Sequence, residues 1–533
     1  MELSPSIIAL YQNISNIYHK RDILKEEENK IEVEDITSRV TFVYEKLRNS
    51  VDFKEAHLLR RFAIERNLRR RLILETLKPH IAKGLIEDLI RSKYLPNNTI
   101  PERMILDVAQ IIRRYGDLFV LLNDLYQGKE RKNYFDWIIG VMACELDMFL
   151  NPEDIEDSLI ETMYSMVKNR VKFTGDEIKI REKNIQLYIS IHKSLVKSDD
   201  TIISYHLFNL YFPDWSHADA SLVKMIATNF PAIYRTTNMH LKHAYQVKLS
   251  NAIKEEVVTF KVLYELILEH GQDIERLLVN PAELESEAKI LVNKRYKLIR
   301  NKISQSSIRA IIYIFITKMI LALVLELPYE LYILKHINYL PITINIVFPP
   351  LLMFLIALTI VPPSKENTSK ILTNLHNVVY NNPPKSILCK LNAKYRQNWG
   401  FKVFYHSMFA ILYIIVFGAI ISLLQRLDFN ILSGALFLFF LTMVSFFALR
   451  IRTTAKEYKV IQNKAGILSF LIDFFSLPII SAGRWLSTKF KKINLFAFVM
   501  DYIIEAPFKI FIAVFEEWLG FLKDKKEDIY HEQ

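Results

Sequence analysis

The sequence predicts an all-α protein: a helical cytoplasmic domain over residues 1–306, a four-span helical membrane domain over 307–465, and amphipathic helices over 466–533. Glycine is scarce, at 12 of 533 residues, which argues against strand-rich folds and nucleotide-binding loops because both depend on glycine. Hydrophobic residues make up 51% of a chain that is also 24% charged, which indicates that the two classes are segregated along it. No Asn-Gly or Asp-Gly hairpin turn joins two alternating segments.

The first 306 residues place apolar side chains at roughly helical intervals among many charged ones, which is typical of amphipathic helices. At two breaks between helices a proline stands at the helix start with acids in the first turn, at Pro152 and Pro281. No repeat of fixed period is visible. The helices predicted in this part are 22–51, 54–95, 102–127, 131–150, 152–170, 174–198, 219–229, 238–270 and 282–303.

Six arginines cluster on the helix predicted over 54–95. With aliphatic residues between them, they are a candidate surface for anionic lipid or another anion, and the net charge of +11 suits such a partner. Glu55, Glu65 and Glu75 interleave with them, so an ordinary salt-bridged helix surface is the alternative that stays open. We expect no nucleic-acid partner, because no nucleic-acid-binding module is recognisable. The arginines are Arg60, Arg61, Arg66, Arg69, Arg70 and Arg71.

Three histidines are candidate metal ligands: His217, His240 and His243. His240 and His243 would share a helix face, but the pattern lacks the acid of the HExxH zinc motif. The chain has two cysteines, Cys144 and Cys389, which are too few for a disulfide framework or a cysteine-based zinc site. No catalytic triad or phosphate-binding loop can be argued from the sequence. We therefore predict no cofactor and no enzymatic activity.

Four stretches beyond residue 307 are long and apolar enough to cross a membrane, since a helix needs about 20 apolar residues to span the hydrocarbon core. The stretch from His336 to Ser364 contains no Asp, Glu, Lys or Arg. A helix in a soluble core rarely runs so long without a polar face. The predicted spans are 308–326, 342–361, 404–424 and 430–449.

Basic residues predict the orientation of these spans, because Lys and Arg stay on the cytoplasmic side. Segment 293–309 holds six of them and no acid, segment 362–402 seven against one acid, and segment 450–464 five against one. The other two loops carry one basic residue each, Lys335 and Arg426. A four-span arrangement puts the three rich segments on one side. It therefore predicts a multi-pass protein of the cytoplasmic (inner) membrane with both termini in the cytoplasm.

Polar and helix-breaking residues inside the spans are candidate functional positions, because ionisable groups are costly within the membrane. Lys318 lies near the middle of the first span, where a cation costs about 3 kcal/mol, and Glu326 follows two helical turns later. The lysine either faces a polar path, or it snorkels or pairs with another helix. Pro349 and Pro350 remove helix hydrogen bonds in the second span, which happens both in simple kinks and in broken helices that line binding sites.

The segment after residue 465 is apolar but carries acids, Asp473, Asp501 and Glu505. Asp501 and Glu505 are four residues apart and share one face of a helix that is otherwise apolar. This pattern favours helices that lie in the membrane interface or re-enter it. Two further crossings would also leave the C-terminus in the cytoplasm, so a fifth and a sixth span stay open. If these helices insert, their acids are further candidate partners for Lys318.

These observations favour a protein that anchors its helical domain at the inner face of a membrane, where the domain binds a protein partner or anionic lipid. The alternative is a transporter or channel subunit with a polar path around Lys318. Such a path would need a homo-oligomer, because four spans make a thin pore wall. A membrane-attached hydrolase that uses the His and Asp residues is a third interpretation. An anchor needs only apolar contacts between spans, so we expect it to tolerate Lys318→Leu.

Overall fold

Helices account for nearly all of the described residues, which confirms the all-α prediction. Two four-residue strands, β1 (Val171–Thr174) and β2 (Cys389–Asn392), pair in parallel and were not predicted. The computed structural model describes residues 2–25, 29–49, 56–74, 81–152, 154–174, 180–360, 363–380, 389–392, 399–461, 466–491, 511, 514–515, 518 and 521–522.

The helices before the membrane part agree with the predicted pattern in type but not in every boundary. The helix predicted to end at 229 continues through Pro231, and a helix at the start of the chain was missed. Short 3-10 turns cover Pro213–His217 and Gly271–Asp273. The helices are α1 Pro5–Lys25, α2 Asp35–Asn49, α3 Ala56–Leu74, α4 Ile81–Arg91, α5 Met104–Leu125, α6 Gly128–Leu150, α7 Asp154–Lys168, α8 Ile180–Leu195, α9 Asp200–Tyr211, α10 Ala220–Leu241, α11 Gln246–Ala252, α12 Lys254–His270 and α13 Ile274–Val279.

Two separate apolar cores hold this domain together. Helices α3 to α6 and α10 enclose the first, which we call the distal core, and Trp215 and Phe208 fill its centre. Helices α1, α7, α8 and α11 to α13 enclose the second, which we call the proximal core. Local signals set the helix starts around these cores: the carboxylate of Asp199 caps α9 and that of Asp219 caps α10.

The first membrane helix grows directly out of the proximal core. Helix α14 (Pro281–Leu321) begins with a proline and is capped by the side chain of Asn280. Its first turns bury Leu284 and Leu291 in the proximal core. It continues through a π turn (Ala322–Glu326), α15 (Leu327–Tyr329) and a second π turn (Glu330–Leu334). The predicted boundary near residue 307 thus falls inside an unbroken helix, so the two parts share a rigid element.

Five helices among the described residues are long and apolar enough to cross a membrane by length and composition. These helices indicate a multi-pass membrane protein, and four of them match the predicted spans. The five candidate spans are Pro281–Leu334, Tyr339–Leu358, Trp399–Arg426, Ile431–Thr453 and Phe470–Lys489. The corresponding elements are α16 Tyr339–Leu358, α17 Lys365–Val379 between two spans, α18 Trp399–Arg426, α19 Ile431–Ala455 and α20 Ile467–Lys491.

Helix α20 lies where an interfacial or re-entrant helix was expected, and it runs antiparallel along α19. Arg452 Nη1 lies 3.7 Å from Asp473 Oδ1 near one end of the pair. Near the middle, a Cβ added at Gly483 would lie 2.1 Å from the carbonyl oxygen of Thr442. The two contacts are ten residues apart on each helix, so α20 follows α19 closely over about 15 Å, roughly half the thickness of the hydrocarbon core.

The three basic segments all pack into the proximal core. Ile299 of α14, Ile371 and Leu375 of α17, and Tyr458 and Val460 after α19 are buried there together. Strand β2 also comes from the segment between the second and third spans, and it pairs with β1 of the domain. These segments therefore meet at one end of the membrane helices, as the four-span arrangement requires.

Candidate functional site

The polar residues of the first span share one buried face because the helix changes its winding. Lys318, Ala322, Glu326 and Glu330 are spaced four residues apart, and all four are buried. In an α-helix, residues at this spacing drift around the axis by about 40° per step. Each π turn winds an additional residue into a turn, which rotates the following residues back. The two π turns thus keep these residues directed towards α16 and α19.

Lys318 and Glu326 form an ion pair that is sealed from solvent. The Lys318 Nζ donates to Glu326 Oε1 at 3.1 Å, and both side chains are 0% exposed. The ammonium group also lies 4.8 Å from the centre of the Phe440 ring, in cation–π contact. Each charge is therefore neutralised within the membrane part, where an unpaired one would be costly.

Asn345 extends this pair to two further helices. Its Nδ2 donates to Glu326 Oε1 at 2.7 Å and to the backbone carbonyl of Ser433 at 3.0 Å. The side chains of Asn345 and Ser433 are fully buried. We call Lys318, Glu326, Asn345 and Ser433 the polar cluster. It joins the first span to α16 and to the start of α19.

Glu330 performs a similar role one turn further along. Its carboxylate accepts hydrogen bonds from the backbone amide of Asn338 and from Asn430 Nδ2, both at 2.8 Å. Asn430 Oδ1 in turn accepts from the amide of Ser433 and caps α19. The two short loops of the membrane part are thus linked to each other through one carboxylate, at the end away from the proximal core.

The polar cluster holds more hydrogen-bonding groups than it uses. Glu326 Oε2, Asn345 Oδ1 and Ser433 Oγ are buried and have no partner in the described part of the chain. Pro349 and Pro350 lie inside α16 and lack amide hydrogens, which frees the carbonyls of the residues four positions earlier, one of them Asn345. Helix α16 nevertheless continues through both prolines to Leu358. These oxygens could accept hydrogen bonds from water or another proton donor, or could coordinate a small cation.

Asp473, another predicted partner of Lys318, lies elsewhere. Its side chain is 59% exposed and faces Arg452. Asp501 and Glu505 fall outside the described residues. Asn345, Ser433 and Asn430 were missed by the sequence reasoning, which considered charged groups and prolines. Asn345 could have been identified from the sequence, because it is an amide inside the long stretch from His336 to Ser364 that contains no charged residue.

The six arginines of α3 are paired within the domain. Their side chains are at most 31% exposed, and each contacts a carboxylate. The geometry therefore favours a role in holding α3 against neighbouring helices over a free cationic surface. The pairs are Arg60 with Asp147, Arg61 with Glu65 and Asp199, Arg66 with Glu45, Arg69 with Glu65 and Asp136, and Arg70 and Arg71 with Asp88.

The candidate metal ligands are engaged in other contacts. His240 Nε2 lies 2.7 Å from the Tyr211 hydroxyl, and its Nδ1 lies 3.2 Å from Glu182 Oε1. His243 Nε2 is 3.9 Å from the same carboxylate oxygen. His217 is exposed and bonds to the hydroxyl of its neighbour, Ser216. Within the described ranges, no group of three or more His, Cys, Asp or Glu side chains is placed to hold a metal ion.

Comparison of the chain with protein-family models, with curated proteins and with solved structures gives no match.

Proposed function

We propose that the protein is a multi-pass protein of the cytoplasmic (inner) membrane that holds its helical domain as a rigid platform on the cytoplasmic face. The platform binds a protein partner or anionic lipid, and its role is binding rather than catalysis. The observation that carries this proposal is the packing of all three basic segments into the proximal core. A simple tether needs one flexible connection, whereas α14, α17 and the segment after α19 each fasten the domain to the membrane helices.

One buried side chain ties the three connections together. Asn367 of α17 donates to the Tyr296 hydroxyl of α14 at 2.7 Å and to the carbonyl of Tyr458 at 2.8 Å. Its Oδ1 accepts from the amides of Val460 and Ile461 at 2.8 and 3.0 Å. Loss of this amide leaves several buried backbone groups unpaired, at about 1–3 kcal/mol each.

The rigid connection between the helical domain and the membrane helices can be tested with two spin labels, in a variant without the native cysteines. One label replaces Asn133 in the domain and the other replaces Arg426 at the far end of the membrane helices, and the distribution of distances between them is measured in nanodiscs. We expect one narrow distribution that broadens in Asn367→Ala. Thr373→Ala is the matched control on the same helix, because its hydroxyl is exposed and bonds only to its own helix. A broad distribution in the parent protein would contradict the platform.

The proposed orientation puts both short loops outside the cell. A membrane-impermeant maleimide should label Arg426→Cys in intact cells and Lys365→Cys only after permeabilisation. The proposal also includes α20 as one of the two further crossings that would leave the C-terminus in the cytoplasm. The opposite labelling pattern would show that the orientation in the membrane is the reverse of the proposed one.

The unpaired oxygens of the polar cluster favour a second candidate function, a transporter or channel subunit with a polar path around Lys318. Flux of protons or small cations into proteoliposomes tests it. The variant to use is Lys318→Met combined with Glu326→Gln, which removes both charges and keeps an acceptor for Asn345. Flux in the parent protein that this variant abolishes would establish a path; equal, background flux in both would exclude it.

A further inference from the structure

A basic cleft of about 390 Å³ lies between the proximal core and the end of α19. Five lysines line it, contributed by α8 and the residues just after it, by α12 and by the turn after α19, against one carboxylate. These charged lining residues are Lys193, Lys197, Lys254, Lys261, Lys456 and Glu457. Convergence of five lysines on one cleft favours an anionic ligand.

The acids near the cleft neutralise only part of this charge. Lys197 and Lys261 both pair with Glu457, at 2.8 and 3.1 Å. Lys193 pairs with Asp200 at 2.8 Å, outside the cleft lining. Lys254 and Lys456 contact no carboxylate in the described part of the chain. These two lysines of the cleft lining therefore carry charge that no carboxylate of the described residues compensates.

The position of Lys254 makes its charge costly without a ligand. Burial, followed by the nearby ammonium groups of Lys456 and Lys459, lowers the pKa of Lys254. An anion in the cleft would relieve the repulsion between these groups. The hydroxyl-bearing residues Ser194 and Ser250 also line the cavity and can supply neutral donors.

The cleft lies beside the end of a candidate membrane span. Thr453 forms part of its lining and is also the last residue of the fourth candidate span. A lipid headgroup could therefore reach the lysines from the bilayer, and a soluble compound could reach them from the cytoplasmic side. A phosphate group suits both routes. It carries negative charge on several oxygens that are strong hydrogen-bond acceptors, and a lysine ammonium group binds such an anion through its compact positive charge.

We propose that this cleft binds a phosphate group, carried by a lipid headgroup or by a soluble phosphate compound, and that Lys254 and Lys456 hold it. The cavity volume leaves room for the organic part of the ligand beside the phosphate. A lipid headgroup in this cleft would be the anionic lipid of the proposed platform, and in that form the inference rests on the proposed function. The cleft uses no residue of the polar cluster and neither Asn367 nor its hydrogen-bond partners, so phosphate binding and the rigid connection can fail separately.

Inorganic phosphate is the first probe, titrated against the purified protein in detergent at constant ionic strength while the thermal unfolding midpoint is followed. A ligand that binds only the folded state raises this midpoint as it saturates. The test variant combines Lys254→Gln with Lys456→Gln. Neither lysine pairs with an acid, so this change leaves no carboxylate unpaired and the fold should be retained. The matched control combines Lys129→Gln with Lys132→Gln, two exposed lysines of α6.

We expect the parent protein and the control to respond equally, and the test variant to need about tenfold more phosphate or more, since hydrogen bonds to charged groups are lost. The second probe is a nanodisc of phosphatidylcholine with or without phosphatidic acid. Stabilisation by phosphatidic acid beyond that by phosphate identifies a lipid headgroup, and stabilisation by phosphate alone identifies a soluble compound. No response to either probe, or the same response in all three proteins, overturns the proposal.

Discussion

Removal of one member of the Lys318–Glu326 pair should destabilise the membrane part far more than removal of both. The two side chains contact each other at 3.1 Å and neither is exposed. Lys318→Met leaves the Glu326 carboxylate buried with the single donor of Asn345, and Glu326→Gln leaves the ammonium group facing a neutral amide. Breaking a buried pair in this way costs about 3–5 kcal/mol.

The double variant removes the charges together and leaves neither of them uncompensated. Met has nearly the length of Lys, and the Gln carbonyl still accepts from Asn345 Nδ2. The Gln amide can also donate to buried acceptors that now lack partners, such as Asn345 Oδ1. Replacement of a buried ion pair by neutral groups of similar volume is often neutral or stabilising by about 1–4 kcal/mol. We therefore expect the double variant to be at least as stable as the parent.

The free energy of unfolding in mixed detergent micelles measures this cycle. The control pair is Arg452 with Asp473, which is more than 40% exposed at both side chains and separated by 3.7 Å. Its coupling should be close to zero, because exposed ion pairs contribute little. Additive losses for Lys318→Met and Glu326→Gln would refute the reasoning, since the two groups would then not act on each other.

Two further predictions concern packing and pH. Gly483→Ala should push α20 away from the Thr442 carbonyl and cost about 1–3 kcal/mol. Gly418→Ala, with open space around its added Cβ, should be neutral or stabilising by up to about 1 kcal/mol, because Ala favours a helix interior over Gly. Thermal unfolding compares the two variants, and equal losses would contradict the close helix contact. Burial lowers the pKa of His206 to about 4, so its neutral form stabilises the fold at neutral pH and that contribution is lost as pH falls from about 6.5 towards 4. The loss approaches about 3 kcal/mol, and His206→Phe should flatten the dependence of unfolding on pH; an unchanged slope would show that His206 titrates normally.

Local sequence patterns were enough to predict four of the candidate membrane helices, because the apolar residues that identify a span lie within about 20 consecutive positions. Lys318 was visible for the same reason, as a lone charge in an apolar segment, and Glu326 was a named partner only two turns away. Helix α20 was harder to predict, since Asp473 and Pro478 argued against a crossing. In the structure Asp473 lies at the end of the helix, where a carboxylate meets Arg452, and Pro478 is accommodated within α20.

Contacts between distant parts of the chain could not be predicted. Asn345 forms hydrogen bonds with Glu326, which is 19 residues away in the sequence, and with Ser433, which is 88 residues away. The arginines of α3 were open to two interpretations because their acids are mostly remote, such as Asp199, which lies 138 residues from Arg61. The phosphate cleft combines three elements from separate regions. Its lysines looked like solvated surface charges in the sequence, and only folding brings them together.

The π turns separate the part of the first membrane helix that packs in the proximal core from the part that carries the acids of the polar cluster. Both turns follow Lys318, so the part of α14 that packs in the proximal core lies before them. A π turn can give up its additional residue and become α-helical, which rotates the rest of the first span by about one residue. Such a change would turn Glu326 and Glu330 away from Lys318 and Asn430 without moving the domain. The polar cluster could therefore open and close while the three connections to the proximal core stay in place.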